Sequence, residues 1–310
     1  MKKVVITGAN GFIGTALCRT LSGQGLETIA VVRSREEDVS GLEELPSVRI
    51  VYCDMASFKD LAQYIPDRDV DVLYHLAWAG SAGPMRGDSR VQIDNVRYTC
   101  DTVSACADLK CPRFVFASSI MEYEIQALME TERIPGQSTL YSSAKAAAGQ
   151  MARTIAGGLG IDYVRALLSN VYGPGEKSPR LINSSLRKML RGEHCSFSSG
   201  EQMYDFIYIQ DAAKTLAAIG AKGHSGRTYY IGSQNPKPLR EYLCELRDQV
   251  DPCLEIGLGD LAFEGVSLTY TEFDINAVKE DTGYVPEVSF AQGIRNTIKW
   301  MEEGHTDVSI

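Results

Sequence analysis

The chain lacks the features that mark secreted, membrane-spanning and metal-binding proteins. Its eight cysteines form no C-x-x-C pair, so we expect free thiols in a reducing compartment. No apolar run is long enough to span a membrane, and no secretory leader is recognisable. The four histidines, at positions 75, 194, 224 and 305, are scattered without ligand spacing. We therefore expect a cytoplasmic protein with no membrane segment and no metal site.

Positive charge is also scarce relative to negative charge. The formal net charge of −9 over 310 residues disfavours nucleic acid and anionic lipid as main partners. Apolar residues make up 44% and charged residues 23%, which is ordinary for a globular protein. An anionic substrate would need a local positive site inside the protein.

Hydrophobic periodicity predicts strands that alternate with helices over the first half of the chain. This alternation indicates βαβ units, and hence an α/β fold with a doubly wound parallel sheet of the Rossmann type. The predicted strands are 3–7, 27–32, 48–52, 71–76, 113–117 and 161–167, and the main helices are 12–22, 89–108 and 139–157.

The rhythm changes after Gly173-Pro174-Gly175. Helices are then predicted at 179–191, 210–219, 239–249 and 289–302, separated by short strands and loops. We predict a dinucleotide-binding domain over residues 1–172 and a smaller substrate-binding lobe over 173–310. Thr228–Ile231 can belong to either part.

Three motifs contain candidate cofactor-binding and catalytic residues. Gly8, Gly11 and Gly14 lie between the first strand and the first helix, where backbone N–H groups can approach a pyrophosphate. Tyr141 and Lys145 are four residues apart on one helix face, so the ammonium can lower the phenol pKa toward the range of a general acid or base. Ser119 ends the fifth strand, at the sheet edge where ligands bind.

Together with further markers, these motifs resemble the extended short-chain dehydrogenase/reductase family, which includes nucleotide-sugar epimerases, dehydratases and 4-ketoreductases. The resemblance covers nearly the whole chain. The further markers are Asp54, His75-Leu76-Ala77, Asn95, Ser169 to Gly175, Asp205 to Asp211 and Gly283 to Pro286.

The resemblance implies a role for each marker. Ser119, Tyr141 and Lys145 would be catalytic, with Tyr141 and Lys145 also touching the cofactor and Ser119 and Asn170 touching a nucleotide-sugar substrate. The implied cofactor contacts are Gly8, Asn10, Gly11, Phe12, Ile13, Gly14, Asp54, Met55, Leu76 and Ala77. Two departures leave the substrate's identity open: Tyr204 stands where the family has an arginine that meets the diphosphate, and Glu124 where it has glycine.

The end of the second strand predicts the cofactor. An acidic residue there would bind the ribose 2′-hydroxyl of NAD(H), but the strand ends in Val32 and Arg33. Arg33 can pair with a 2′-phosphate, so NADP(H) is favoured over NAD(H), although Glu36 and Glu37 follow closely.

Dehydratases of this family have an acidic pair directly after the catalytic Ser or Thr, and here those positions are Ile120 and Met121. We expect Glu122, in an extended segment, to point away from its neighbour. This favours a nucleotide-sugar 4-ketoreductase or epimerase. A reductase of small ketones and a non-catalytic dinucleotide-sensing regulator stay open as alternatives.

The family often pairs through the helices at about 89–108 and 139–157, which predicts a homodimer. Both helices carry small or apolar residues over much of their surface, at Val91, Val96, Val103, Ala105, Ala107, Ala144, Ala146, Ala147, Ala148 and Met151.

Overall fold

The fold is built on a seven-stranded parallel sheet. The computed structural model describes residues 1–129, 131–132 and 134–304. The strand order is β11-β6-β5-β4-β1-β2-β3, as expected for a doubly wound sheet. Its strands are β1 (Lys3–Thr7), β2 (Glu27–Val32), β3 (Val48–Tyr52), β4 (Val72–His75), β5 (Arg113–Ser119), β6 (Asp162–Leu168) and β11 (Thr228–Ile231).

Helices cover both faces of this sheet. Successive strand residues alternate between two hydrophobic cores: Val4 and Ile6 face one core, whereas Val5 and the aromatic ring of Phe116 face the other. Alternating apolar residues on both faces are what a parallel sheet buried between two helix layers requires. The helices of the first half are α1 (Phe12–Gly23), α2 (Ser40–Glu43), α3 (Leu61–Tyr64), α4 (Ser89–Asp108), α5 (Tyr123–Met129) and α6 (Thr139–Leu159).

The later part of the chain adds one strand to the large sheet and also forms smaller sheets. Strand β11 pairs with β6 and completes the large sheet, which resolves where Thr228–Ile231 belongs. Three two-stranded sheets form from short strands: β7 (Asn170–Tyr172) with β10 (Phe206–Tyr208), β8 (Cys195–Phe197) with β13 (Ile256–Leu258), and β9 (Met203–Tyr204) with β12 (Lys237–Pro238). The remaining helices are α7 (Leu181–Leu190), α8 (Ile209–Lys222), α9 (Leu239–Val250), α10 (Ala277–Thr282) and α11 (Phe290–Glu302).

Helix α6 approaches β5 closely because its inner face consists of small residues. A Cβ placed on Gly149 would lie 3.2 Å from the ring of Phe116. Ala148 and Ala152 on the same face are fully buried. This close packing brings the first turns of α6 to the carboxyl end of β5. Across the described ranges, no helix is both long and apolar enough to cross a membrane.

Candidate active site

A cavity of about 1080 Å³ opens at the carboxyl ends of β1, β4, β5 and β6. Strand order reverses beside β1, and ligands of open α/β sheets bind at such a point. The structure brings every site residue predicted from the sequence to this one cavity: Gly8, Asn10, Gly11, Phe12, Ile13, Gly14, Arg33, Asp54, Met55, Leu76, Ala77, Ser119, Tyr141, Lys145 and Asn170.

The glycine loop is shaped by backbone contacts that a side chain would prevent. Gly8 has a φ of +67°, and a Cβ there would lie 2.8 Å from the backbone of Ala77. A Cβ on Gly14 would overlap the carbonyl oxygen of Gly8. Helix α1 begins at Phe12 with Gly11 as its N-cap, so the free N–H groups of its first turn face the cavity. This arrangement fits a pyrophosphate.

At the end of β2, Arg33 forms an ion pair with Glu37. The Arg33 side chain is 67% exposed, and Asn10 donates a 3.4 Å hydrogen bond to the same Glu37 carboxylate. Asp54 caps the turn after β3 by accepting a hydrogen bond from the Ala56 N–H at 2.8 Å. The Arg33 guanidinium and the Glu37 carboxylate thus lie together in the part of the cavity beside the end of β2.

Lys145 is buried in the centre of the site. Its ammonium donates to the carbonyl oxygen of Ala117 at 2.9 Å and lies 3.7 Å from the ring centre of Trp78. Burial lowers the pKa of this ammonium to about 7. The Lys145 amine is therefore only partly protonated at neutral pH unless a ligand stabilises its charged form.

Tyr141 lies one helical turn before Lys145 and is 7% exposed. The Lys145 ammonium is 6.0 Å from its ring centre, and the guanidinium of Arg86 is 4.3 Å from the same ring centre. Two cationic side chains therefore lie close to the phenol ring of Tyr141. This arrangement can hold and move a proton.

Ser119 ends β5 and accepts a hydrogen bond from the Met121 N–H at 3.2 Å. The expectation that residues 120–122 are extended was wrong, because Ile120–Glu122 form a 3₁₀ turn capped by Ser119. The Glu122 carboxylate is buried and forms an ion pair with Arg165, outside the cavity that Ile120 and Met121 line. Desolvation lowers the pKa of Arg165.

Asn170 begins β7, and its side-chain amide donates to the carbonyl oxygen of Asp205 at 3.2 Å. Asp205 is fully buried and accepts from the Tyr230 hydroxyl at 2.6 Å; desolvation raises its pKa. Tyr204, at the position of the family's arginine, stacks on Phe206 at 5.6 Å and lines the cavity. This wall therefore presents a phenol rather than a cation.

His75 is a buried core residue between the hydroxyls of Thr7 at 2.9 Å and Thr99 at 3.1 Å. Desolvation lowers its pKa to about 3, so the ring is neutral. Among the described residues, no group of three or more His, Cys, Asp or Glu could hold a metal ion. His305 lies outside these residues.

Sequence reasoning missed the loop between β4 and α4. Trp78 and Arg86 on this loop line the cavity beside Tyr141. Buried Gln92 fixes the loop by accepting from Trp78 Nε1 at 3.0 Å and donating to the carbonyl oxygens of Gly80 and Met85. Trp78 follows Leu76-Ala77 directly, which was a usable signal, but Arg86 lies in a glycine-rich segment with no periodicity.

Comparisons with known proteins agree with this geometry. The model of the NAD dependent epimerase/dehydratase family matches residues 4–232. The dTDP-glucose 4,6-dehydratase of Escherichia coli is 23% identical, over 96% of this chain and 93% of its own.

Solved structures of nucleotide-sugar epimerases share the fold, and two of them serve as examples. One is the UDP-N-acetylglucosamine 4-epimerase of Methanobrevibacter ruminantium M1 in complex with UDP-N-acetylmuramic acid. It has a TM-score of 0.81 and 21% identity, covering 97% of this chain and 98% of that one. The other is the UDP-glucuronic acid 4-epimerase of Bacillus cereus in complex with UDP-glucuronic acid and NAD, with a TM-score of 0.78 and 21% identity, covering 97% and 99%.

Proposed function

The chain belongs to the NAD-dependent epimerase/dehydratase family of enzymes, and we propose that it is a nucleotide-sugar 4-ketoreductase or epimerase in which Tyr141 transfers the proton. The observation that carries this proposal is the buried ammonium of Lys145 beside Tyr141, at the carboxyl end of β5. Binding a dinucleotide alone requires no phenol with two cations close to its ring. This disfavours a purely sensory role.

The residues of the cavity fit a nicotinamide dinucleotide, because the tightly packed glycine loop leads into the free N–H groups at the start of α1, which can bind a pyrophosphate. Asn10, Gly11, Phe12 and Ile13 would hold that pyrophosphate. Asp54 and Met55 would meet the adenine, Leu76 and Ala77 the nicotinamide, and Tyr141 and Lys145 the adjoining ribose. The bound cofactor would supply the hydride donor or acceptor.

The protein's own groups handle the proton. In oxidation, the Tyr141 phenolate removes the proton of a sugar hydroxyl, and in reduction the phenol returns a proton to the carbonyl oxygen. The ammonium of Lys145 stabilises the phenolate electrostatically. Ser119 would donate a hydrogen bond to the same sugar oxygen, and Asn170 would contact the nucleotide sugar.

Loss of water from a 4-keto sugar needs a base and an acid beside the reacting ring. Ile120 and Met121 line the cavity at the positions that follow Ser119, and neither transfers protons. Glu122 is engaged with Arg165 on the other side of the turn. These contacts support hydride transfer without dehydration.

An NADP(H) preference stays a prediction. Arg33 stands at the tip of β2 with most of its side chain exposed, which supports binding of a 2′-phosphate. Glu37, which pairs with Arg33, supplies a carboxylate that favours a free ribose hydroxyl. We propose that the 2′-phosphate of NADP(H) displaces Glu37 from Arg33. A preference for NADP(H) would favour the reductase over the epimerase.

We also propose a homodimer through α4 and α6. Several residues that suggested it, including Val103, Ala105 and Ala148, are buried within the chain. Other apolar residues of the same helices remain exposed, with Ile93 at 67% and Met151 at 48%.

The division into a domain over 1–172 and a substrate lobe over 173–310 stays a proposal, with β11 contributed to the large sheet by the later part.

Two incubations test the proposed activity. The first supplies a nucleotide 4-keto-6-deoxy sugar with NADPH, and stoichiometric loss of NADPH absorbance identifies a reductase. The second supplies nucleotide hexoses without added cofactor, and interconversion without net redox change identifies an epimerase. Formation of a 4-keto-6-deoxy product from a nucleotide hexose would contradict the interpretation of Ile120 and Met121.

A further inference from the structure

Arg86 occupies an unusual position in the wall of the cavity. It lies on the 3₁₀ turn Pro84–Gly87, in the loop that follows β4. Its guanidinium carbon is 4.3 Å from the ring centre of Tyr141. Because the reacting sugar carbon must lie within reach of the Tyr141 hydroxyl, a group bound by Arg86 lies in the substrate-binding part of the cavity.

The backbone under Arg86 is held in place from behind. Gln92 is 2% exposed and donates hydrogen bonds to the carbonyl oxygens of Gly80 at 3.1 Å and Met85 at 3.0 Å. Gly80 has a φ of +67°, and a Cβ there would lie 2.7 Å from the Met85 carbonyl oxygen. These hydrogen bonds hold the backbone at Gly80 and Met85, so the backbone position of Arg86 beside the cavity is fixed.

The charge of Arg86 is not balanced within the described part of the chain. Of the other cations that line the cavity, Arg33 pairs with Glu37 and Arg180 lies 3.8 Å from Glu176, whereas Lys145 has no ion pair among the described residues and donates to the Ala117 carbonyl oxygen. Among the described residues the Arg86 side chain forms no ion pair, and its one hydrogen bond donates to the carbonyl oxygen of Ser81 at 3.3 Å. A guanidinium has five N–H donors, so most of its capacity is available to a ligand.

We propose that Arg86 binds an oxyanion of the nucleotide-sugar substrate. This inference rests on the proposed function, because it uses Tyr141 to locate the reacting carbon. The planar guanidinium matches the two oxygens of a carboxylate or a phosphate and can bind them in a bidentate manner. The oxyanion belongs either to a carboxylate on the sugar ring or to the diphosphate.

Titration calorimetry on the full chain tests this assignment without depending on turnover. The wild type is first titrated with UDP, dTDP, CDP and GDP, and the tightest binder fixes the base. The protein and its Arg86→Met variant are then titrated with that nucleoside diphosphate and with its glucose and glucuronate conjugates. We expect Arg86→Met to lose roughly tenfold to a hundredfold in affinity for the ligand that carries the oxyanion.

Matched variants separate charge from fold. Arg90→Met removes an exposed cation four residues away that does not line the cavity, and we expect unchanged affinity. Arg86→Lys keeps the charge but loses the planar fork, so its affinity should fall between wild type and Arg86→Met. If Arg86→Met does not fold in a thermal melt, Arg86→Gln replaces it as the neutral variant.

Each outcome decides a question. A loss already seen with the bare nucleoside diphosphate assigns Arg86 to the diphosphate, and a loss confined to the glucuronate conjugate assigns it to the sugar carboxylate. Equal affinities of wild type and Arg86→Met for all three ligands overturn the Arg86 assignment while leaving the proposed function intact. Failure of the wild type to bind any of the ligands contradicts the proposed function, and the Arg86 assignment with it.

Discussion

The Lys145 ammonium lies 3.7 Å from the centre of the Trp78 ring, so an aromatic face stabilises the charge that burial disfavours. The two effects oppose each other. Burial alone lowers the Lys145 pKa to about 7, and the ring favours the protonated form. The Trp78 ring thus affects the pKa of Lys145, although Trp78 takes no part in the proposed proton transfer.

Trp78→Leu tests this relationship. The variant removes the aromatic face while keeping an apolar side chain, so we expect the Lys145 pKa to fall further. Lys145 must be protonated to stabilise the Tyr141 phenolate, and the alkaline limb of the kcat/KM profile should therefore move to lower pH. Trp78→Phe keeps a ring and should restore most of the wild-type profile. Superimposable profiles for the wild type and Trp78→Leu would exclude the cation–π role.

The same pKa links Lys145 to stability in the cofactor-free protein. The folded-state pKa lies near 7 and the unfolded value is 10.5, so the unfolded chain binds more protons between these values. This group therefore makes stability rise with pH across that window, and its penalty is fully present below pH 7. Lys145→Met should flatten the rise in denaturant-unfolding experiments from pH 7 to 10, whereas exposed Lys110→Met should not.

Tyr141→Phe removes only the phenol's proton-transferring hydroxyl. We expect turnover to fall by roughly 10²–10⁴-fold, the usual contribution of a positioned general acid or base. Because no hydrogen bond of the Tyr141 hydroxyl to another described residue was found, the melting temperature should stay near that of the wild type. Tyr64→Phe, at an exposed tyrosine outside the cavity, serves as the control. Near-normal turnover of Tyr141→Phe would refute the mechanism.

Arg33→Met tests the cofactor preference. If Arg33 binds the 2′-phosphate, fluorescence titration should show a loss of roughly tenfold in NADP(H) affinity, with NAD(H) affinity unchanged. Arg35→Met is the matched control, since the Arg35 guanidinium lies over the Tyr52 ring at 4.8 Å and does not line the cavity. Equal or tighter binding of NAD(H) by the wild type would disprove the preference before any variant is made.

Light scattering at micromolar concentration tests the homodimer. A double variant, Ile93→Glu with Met151→Glu, places charges on the exposed apolar face of α4 and α6, and we expect it to be monomeric with an unchanged fold. Leu261→Glu changes an exposed leucine in the later part of the chain and should leave the mass unchanged. A monomeric wild type would refute the homodimer.

Much of the fold and site was predictable because the signals are local. The strand–glycine–helix order fixed the first βαβ unit, and the i, i+4 spacing of Tyr141 and Lys145 placed both on one helix face. The wall formed by Trp78 and Arg86 was not predictable, because it depends on a buried amide, Gln92, that reaches back across the loop. The 3₁₀ turn at Ile120–Glu122 was missed because the partner of Glu122, Arg165, lies on β6, which neighbours β5 in the sheet but is far away in the sequence.

The close packing of Gly149 against Phe116 restricts how the enzyme can be engineered for heat resistance. Replacing helix glycines with alanine commonly adds about 0.5–1 kcal/mol each. On α6, Gly157 and Gly158 have open space around them, so alanine there should raise the melting temperature without cost to activity. A methyl group at Gly149 would lie 3.2 Å from the Phe116 ring, so either the ring or α6 must shift slightly. Because Lys145 lies on α6 and near the same ring, we expect Gly149→Ala to reduce turnover. A stabilising screen scored by melting temperature alone would not detect that loss.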